Sequence, residues 1–177
     1  MTPRTTPRLS LLAAAVLLLA TACEQRPVYS HYEAVDINGW QQDDTLHFVV
    51  SETASGGRFG ETLGMRASLD YPFTQLALVV IQQAQPSGTE RRDTLYVDLI
   101  DTEGYAYGQG INIYQYDIPL RDMEVREGDT LFIDVHHHMK RNSLPGISDV
   151  GMTLVSRTVT TGIDAQKDEQ QEREAPQ

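Results

Sequence analysis

QLALVVIQQAQPSGTERRDTLYVDLI, residues 75–100, sets two runs rich in Val, Ile, Leu and Tyr on either side of the turn signal QPSGT. Branched and aromatic side chains favour extended backbone while Pro, Ser and Gly interrupt it, so the stretch reads as strand, turn, strand. Working outward, the same pattern recurs. TLHFVVSE (45–52), ETLGMRASL (61–69), YDIPLRDMEV (116–125), DTLFIDVHHHM (129–139) and DVGMTLVSRTV (149–159) are short runs of the same composition, and SGG, DTEG, REGD and NSLPG lie between runs as further turn signals. No stretch of helical period with caps competes. Short strands at regular spacing without intervening helices predict an all-β domain over residues 36–161, an antiparallel β-sandwich of Ig-like or jelly-roll-like form. A closed small barrel is the alternative. The sequence contains no internal repeat.

The N-terminus has a different composition. Arg4 and Arg8 precede the apolar run LSLLAAAVLLLA, and Ala20, Thr21 and Ala22 lead to Cys23, the only cysteine of the 177 residues. The apolar run is shorter than the roughly 20 residues that cross a hydrocarbon core, so residues 1–22 read as a secretory signal peptide. Small residues ahead of a cysteine are the further requirement of a lipoprotein signal. Cys23 is therefore the predicted lipidation site and the first residue of the mature chain. Residues 23–35, polar and containing Pro27, read as a tether, and GIDAQKDEQQEREAPQ (162–177) as a disordered acidic tail.

Charge and cysteine count exclude several classes. The formal charge is −11, and removal of Arg4 and Arg8 with the signal makes it −13. Phosphate neutralisation supplies most of nucleic-acid binding, so no nucleic-acid partner is expected. Membrane attachment must come from the acyl chains, each buried methylene contributing about 0.8 kcal/mol. With Cys23 acylated there is no thiol left for disulfides, thiolate catalysis or a Cys-ligated metal. Lys140 and Lys167 are the only lysines among 14 basic residues, a bias expected of a GC-rich genome.

The joined motifs resemble a known family. DINGWQQDDTLHF, DYPFTQLALVV, RRDTLYVDLIDTEGYAYGQG and above all MKRNSLPGISDVGMTLV are similar, in order and after a lipoprotein signal, to the gliding-motility lipoproteins of the GldH family of Bacteroidetes and relatives. The resemblance spans about residues 36 to 155, and Leu144, Gly146, Ile147, Asp149, Val150 and Gly151 fall at the family's spacing. Lys140 stands where arginine is usual, and the triplet His136 to His138 lies outside the pattern. The resemblance implies an envelope lipoprotein that takes part in gliding and in the type IX secretion machinery. It implies no reaction.

Candidate chemistry is sparse. His136 and His138 share one face of a strand and His137 points the other way, so the triplet offers two ligands from one side, with Asp134 as a third. A structural zinc usually takes four, so no metal site is expected, and the triplet reads as a solvated strand end. GISDVG lacks the second glycine of a nucleophile elbow, and Ser148 reads as a turn residue. Asp101-Thr-Glu-Gly104 reads as a hairpin turn rather than as a calcium loop with Asp98 and Glu103. Tyr105, Tyr107, Tyr114 and Tyr116, interspersed with Gly104, Gly108 and Gly110, are the candidate binding residues: alternating tyrosines on an exposed strand give flat contact area with a hydroxyl at the rim. The alternative is that half of them face the core.

Together these readings predict a non-catalytic outer-membrane lipoprotein without cofactor. It would be held to the membrane through Cys23 and would support other envelope proteins of gliding and secretion. Glu24-Gln25-Arg26 lacks a run of acids typical of surface export in this group, which points to the periplasmic face. A carbohydrate-binding module is the competing reading. A flat face of tyrosines would favour sugar, and an apolar patch with a polar rim would favour a protein.

Overall fold

The computed structural model describes residues 26–51 and 56–157. The signal segment, Cys23 and the acidic tail lie outside the described residues. In chain order the strands are β1 (Tyr29–Ala34), β2 (Trp40–Gln41), β3 (Leu46–Val50), β4 (Gly57–Ser68), β5 (Gln75–Gln85) and β6 (Thr89–Asp98). They continue as β7 (Gln109–Gly110), β8 (Ile113–Pro119), β9 (Met123–Val125), β10 (Thr130–His137), β11 (Ser143–Leu144) and β12 (Ile147–Arg157). There is no helix among the described residues.

Two sheets face each other. One runs β1-β12-β4-β8-β7, with β9 continuing the line of β8 along β4; the other runs β3-β10-β5-β6; β2 and β11 form a small separate ribbon. Every pairing is antiparallel. The chain crosses between the sheets from β3 to β4 to β5 and again from β9 to β10 to β12, while β5 with β6 and β7 with β8 are neighbours in one sheet, and β1 pairs with β12 from the other end of the chain. That order is a jelly roll rather than an Ig-like sandwich.

The alternation of side chains creates the core. Leu63 and Met65 of β4 and Met152 and Leu154 of β12 point inward from one sheet, and Leu78 and Val80 of β5 with Leu131 and Ile133 of β10 meet them from the other. Burying each such side chain stabilises the fold by about 1.5–3 kcal/mol. The glycines of QPSGT, DTEG, REGD and NSLPG all take positive φ, between 78° and 94°, as the turns require.

Three expectations need correction. Tyr29–Ala34, read as tether, is β1 and runs along β12 from Tyr29 opposite Leu154 to Ala34 opposite Asp149. Its mostly polar side chains hide it from a pattern search, because backbone pairing holds it in place. YDIPLRDMEV, read as one run, is divided between β8 and β9. Pro119 has no N–H for the ladder, and the Leu120 N–H bonds the Glu61 carbonyl before pairing resumes at Met123. Ser148 lies within β12 at a bulge, not in a turn.

The pairings fix two poles. The chain enters beside Leu154, where the Val28 N–H bonds the Leu154 carbonyl, and its last described residue, Arg157, lies opposite Arg58 at that same pole. Residues 35–45, 69–74, 99–112 and 138–146 connect strands at the opposite pole.

Candidate interaction surface

The pole remote from the chain entry carries most of the apolar side chains left outside the core. Ile37, Leu69, Ile111 and Ile113 are exposed there, together with Tyr105 and Tyr107. Ile113 pairs with Ser68, next to Leu69, so the loops after β4 and before β8 converge. Tyrosine is legible as a contact residue in the sequence; Ile37, Leu69 and Ile111 are not. Their only signal is an aliphatic residue inside turn-rich sequence, where burial within the loop gives no reason for it.

The four candidate tyrosines separate into two pairs. Tyr105 and Tyr107 are 69% and 66% exposed, whereas Tyr116 is 8% exposed and donates its hydroxyl to the Leu99 carbonyl at 3.1 Å. Burial raises the Tyr116 hydroxyl pKa above its usual 10.0, with a further push from Tyr114. Tyr114 shares the inward face and packs against the core. The exposed pair sits on a braced loop rather than on a strand. The Asp101 carboxylate accepts from the N–H groups of Glu103 and Tyr105, each at 2.8 Å, and Ile100 bridges to Ala106. An aspartate capping its own turn is the expected use of DTEG.

The histidines are dispersed. His137 faces the core at 1% exposure, with its ring edge-on to Trp40 at 5.4 Å, so it is not a solvated strand end. Burial holds its pKa below the usual 6.5, outweighing the backbone groups of Trp40 and Asn142 nearby. His136 points outward, its pKa lowered by partial burial and then by Arg92 and His138. Asp134 accepts a hydrogen bond from His47 at 2.7 Å if that nitrogen carries the proton. Among the described residues no three His, Cys, Asp or Glu side chains converge as a metal site would require.

One charged cluster lies between the sheets. Glu61, on the inward face of β4 and 3% exposed, receives Gln82 at 2.7 Å and the Arg91 guanidinium at 2.6 Å. Arg91 also donates to the Asp122 carbonyl at 2.9 Å, and Asp93 lies against both Arg91 and Arg121. Burial raises the Glu61 pKa above 4.5 despite Gln82 and Arg91. The cluster fastens the β6 edge to the linker before β9; the second Glu61 carboxylate oxygen and the Gln82 amide oxygen are buried without a hydrogen-bond partner.

The segment most specific to the family resemblance is structural. Leu144 and Val150 are fully buried, Ile147 nearly so, and Gly146 takes φ +83° against Tyr71. Ser148 donates to the Asp149 carboxylate at 2.7 Å and has no histidine partner.

Fold and surface define a jelly-roll β-sandwich with an apolar loop pole. The chain belongs to the GldH lipoprotein family, whose model matches residues 27–154. It is 26% identical to the gliding motility lipoprotein GldH of Flavobacterium johnsoniae over 155 residues, covering 81% of this chain and 92% of that protein. Solved structures similar in part include the Eiger TNF of S. frugiperda, at 14% identity and TM-score 0.29, covering 77% of this chain and 98% of that one. Another is infectious bursal disease virus, Gx strain, at 10% identity and TM-score 0.20, covering 84% of this chain and 48% of that one. The jelly-roll assignment rests on strand order instead.

Proposed function

We propose that this chain is a non-catalytic envelope lipoprotein of gliding motility, which supports partner proteins of the gliding and type IX secretion machinery by binding them. Family membership across residues 27–154 carries the reading. The proposed layout is a signal peptide over residues 1–22, an acylated Cys23, a short tether, the sandwich and an acidic tail. Cys23 precedes Arg26 by three residues, a reach of about 11 Å at most, so the anchor belongs to the pole where the chain enters. The apolar loops then face away from the bilayer. We place the anchor in the outer membrane with the domain in the periplasm.

Confinement to a surface raises the effective concentration of a partner, into the millimolar range for short tethers. A weak contact through Tyr105, Tyr107 and the neighbouring aliphatic residues is then sufficient. The mixture of isoleucine and leucine with tyrosine, on loops rather than on a flat sheet face, favours a protein over a glycan. The test is a clean deletion complemented with wild-type chain or with Cys23→Ala. Impaired gliding and cargo secretion, restored by wild type and poorly by a folded Cys23→Ala, is the expected outcome. Normal motility and secretion in the deletion, or specific glycan binding by the protein, would overturn the proposal.

A further inference from the structure

On the outer face of the β3-β10-β5-β6 sheet, at the pole of the apolar loops, lies an open groove of about 630 Å³. Its origin is a single small residue. Ala77 of β5 lies directly opposite Tyr96 of β6, and on its other side its carbonyl accepts the His138 N–H at 2.8 Å. The Ala77 N–H in turn points at the Met139 sulfur, 3.3 Å away. A methyl group therefore stands between two large side chains, and Phe73 adds to the apolar lining. Tyr96 remains 67% exposed beside it.

The rim is cationic in an acidic protein. His138, Lys140 and Arg141 line the groove, and no Asp or Glu does. Arg58, Arg66, Arg91, Arg121 and Arg157 each pair with a carboxylate, whereas Lys140 and Arg141 pair with none among the described residues. Asp98, across the ladder from the groove residue Gln75, is already engaged by that glutamine's amide at 2.8 Å. An apolar floor selects a hydrophobic side chain, and two uncompensated cations at its mouth select an anion beside it.

We infer that this groove binds an acidic peptide segment of a partner protein, seating an aromatic or aliphatic side chain against Ala77 and its carboxylates against Lys140 and Arg141. The inference rests on the proposed function only in taking that partner to be an envelope protein. The anchoring bilayer is not the occupant, because the groove and the chain entry lie at opposite poles, separated by most of β12; an 11-residue strand spans about 36 Å.

The test uses the full chain purified in detergent and a short fluorescent peptide alternating phenylalanine with aspartate. Wild type should bind it, and bind the version with asparagine for aspartate about tenfold more weakly or worse. Lys140→Glu with Arg141→Glu should lose about tenfold, as should Ala77→Met, which fills the groove from the outer face. Unchanged melting temperatures confirm intact folds; should Ala77→Met fail to fold, Tyr96→Ala, at an exposed position, replaces it. Absence of binding to wild type, equal binding of the asparagine version, indifference to the variants, or full displacement by inorganic phosphate would each overturn the inference. A deletion with normal motility removes the proposed function and leaves this groove standing. A groove that ignores the peptide does the reverse.

Discussion

The ring of Tyr32 occupies the space that a side chain on Gly151 would fill: a Cβ there would lie 2.6 Å from the ring carbons. Tyr32 pairs with Gly151 on β12, which pairs with Gly64 on β4, so one aromatic ring covers two bare positions of the outer face. Its hydroxyl accepts from the Gln115 amide of β8 at 2.9 Å, and the Arg66 guanidinium stands 4.6 Å from the ring centre. A single side chain thereby spans four strands and covers glycines that would otherwise weaken the sheet.

Gly151→Ala should destabilise the protein by about 1–3 kcal/mol through collision with that ring. Tyr32→Ala should also destabilise it, and the double variant should cost less than the sum, since the ring carbons nearest the added methyl are then gone. Denaturant titration of the two single variants and the double variant measures the coupling; strict additivity would show that the contact carries no energy.

Gly146→Val meets two obstacles at once. The φ of +83° excludes a branched residue, and the new Cβ would collide with the Tyr71 backbone nitrogen. A loss on the order of 1–3 kcal/mol or more is expected. An unchanged melting temperature would count against the turn geometry.

Much of this architecture was readable from the chain, for physical reasons that differ by element. Leu131, Ile133 and Val135 point inward because successive strand residues face opposite sides and one face of β10 meets the core, and the glycines of four turn signals mark their turns without tertiary help. β1 escaped because its stability lies in backbone pairing and in the Tyr32 contact with two glycines far away in sequence. The burial of His137 is not legible in the sequence, because it depends on Trp40, about a hundred positions earlier. The alternative that half of the tyrosines face the core holds for Tyr114 and Tyr116, but which half is not legible in the sequence, since the bend at Asp101 sets Tyr105 and Tyr107 outward. The groove depends on Ala77 lying between Tyr96 and Met139, an adjacency set by register.

Arg91→Met should destabilise by about 3–5 kcal/mol, because it leaves the Glu61 carboxylate buried with Gln82 alone. Adding Glu61→Leu should recover much of that loss. A double variant as unstable as Arg91→Met would show that Arg91 acts through Asp93 and the Asp122 carbonyl instead.

His137 makes stability depend on pH. Its folded pKa lies below 6.5, so the unfolded chain takes up a proton near that value while the folded chain does not. The stabilisation is complete above about pH 6.5 and is lost as pH falls through 6.5 toward the folded value. His137→Leu, which keeps an apolar contact with Trp40, should remove this loss, so its stability relative to wild type should rise as pH falls. Parallel pH profiles for the two proteins would exclude the linkage. Glu61, with a raised pKa, acts in the opposite sense, so the comparison is made at fixed Glu61.

The central claim is that the pole facing away from the proposed anchor holds envelope partners. Photocrosslinking in living cells tests it most directly, with a photoreactive phenylalanine analogue at Tyr107 and, as control, at Ser30 on β1, near the chain entry. The account predicts discrete crosslinked envelope proteins from position 107 that are weakened in a Cys23→Ala background, and few from position 30. Equal crosslinking from both positions, or none from 107 in cells where the protein supports motility, would contradict it.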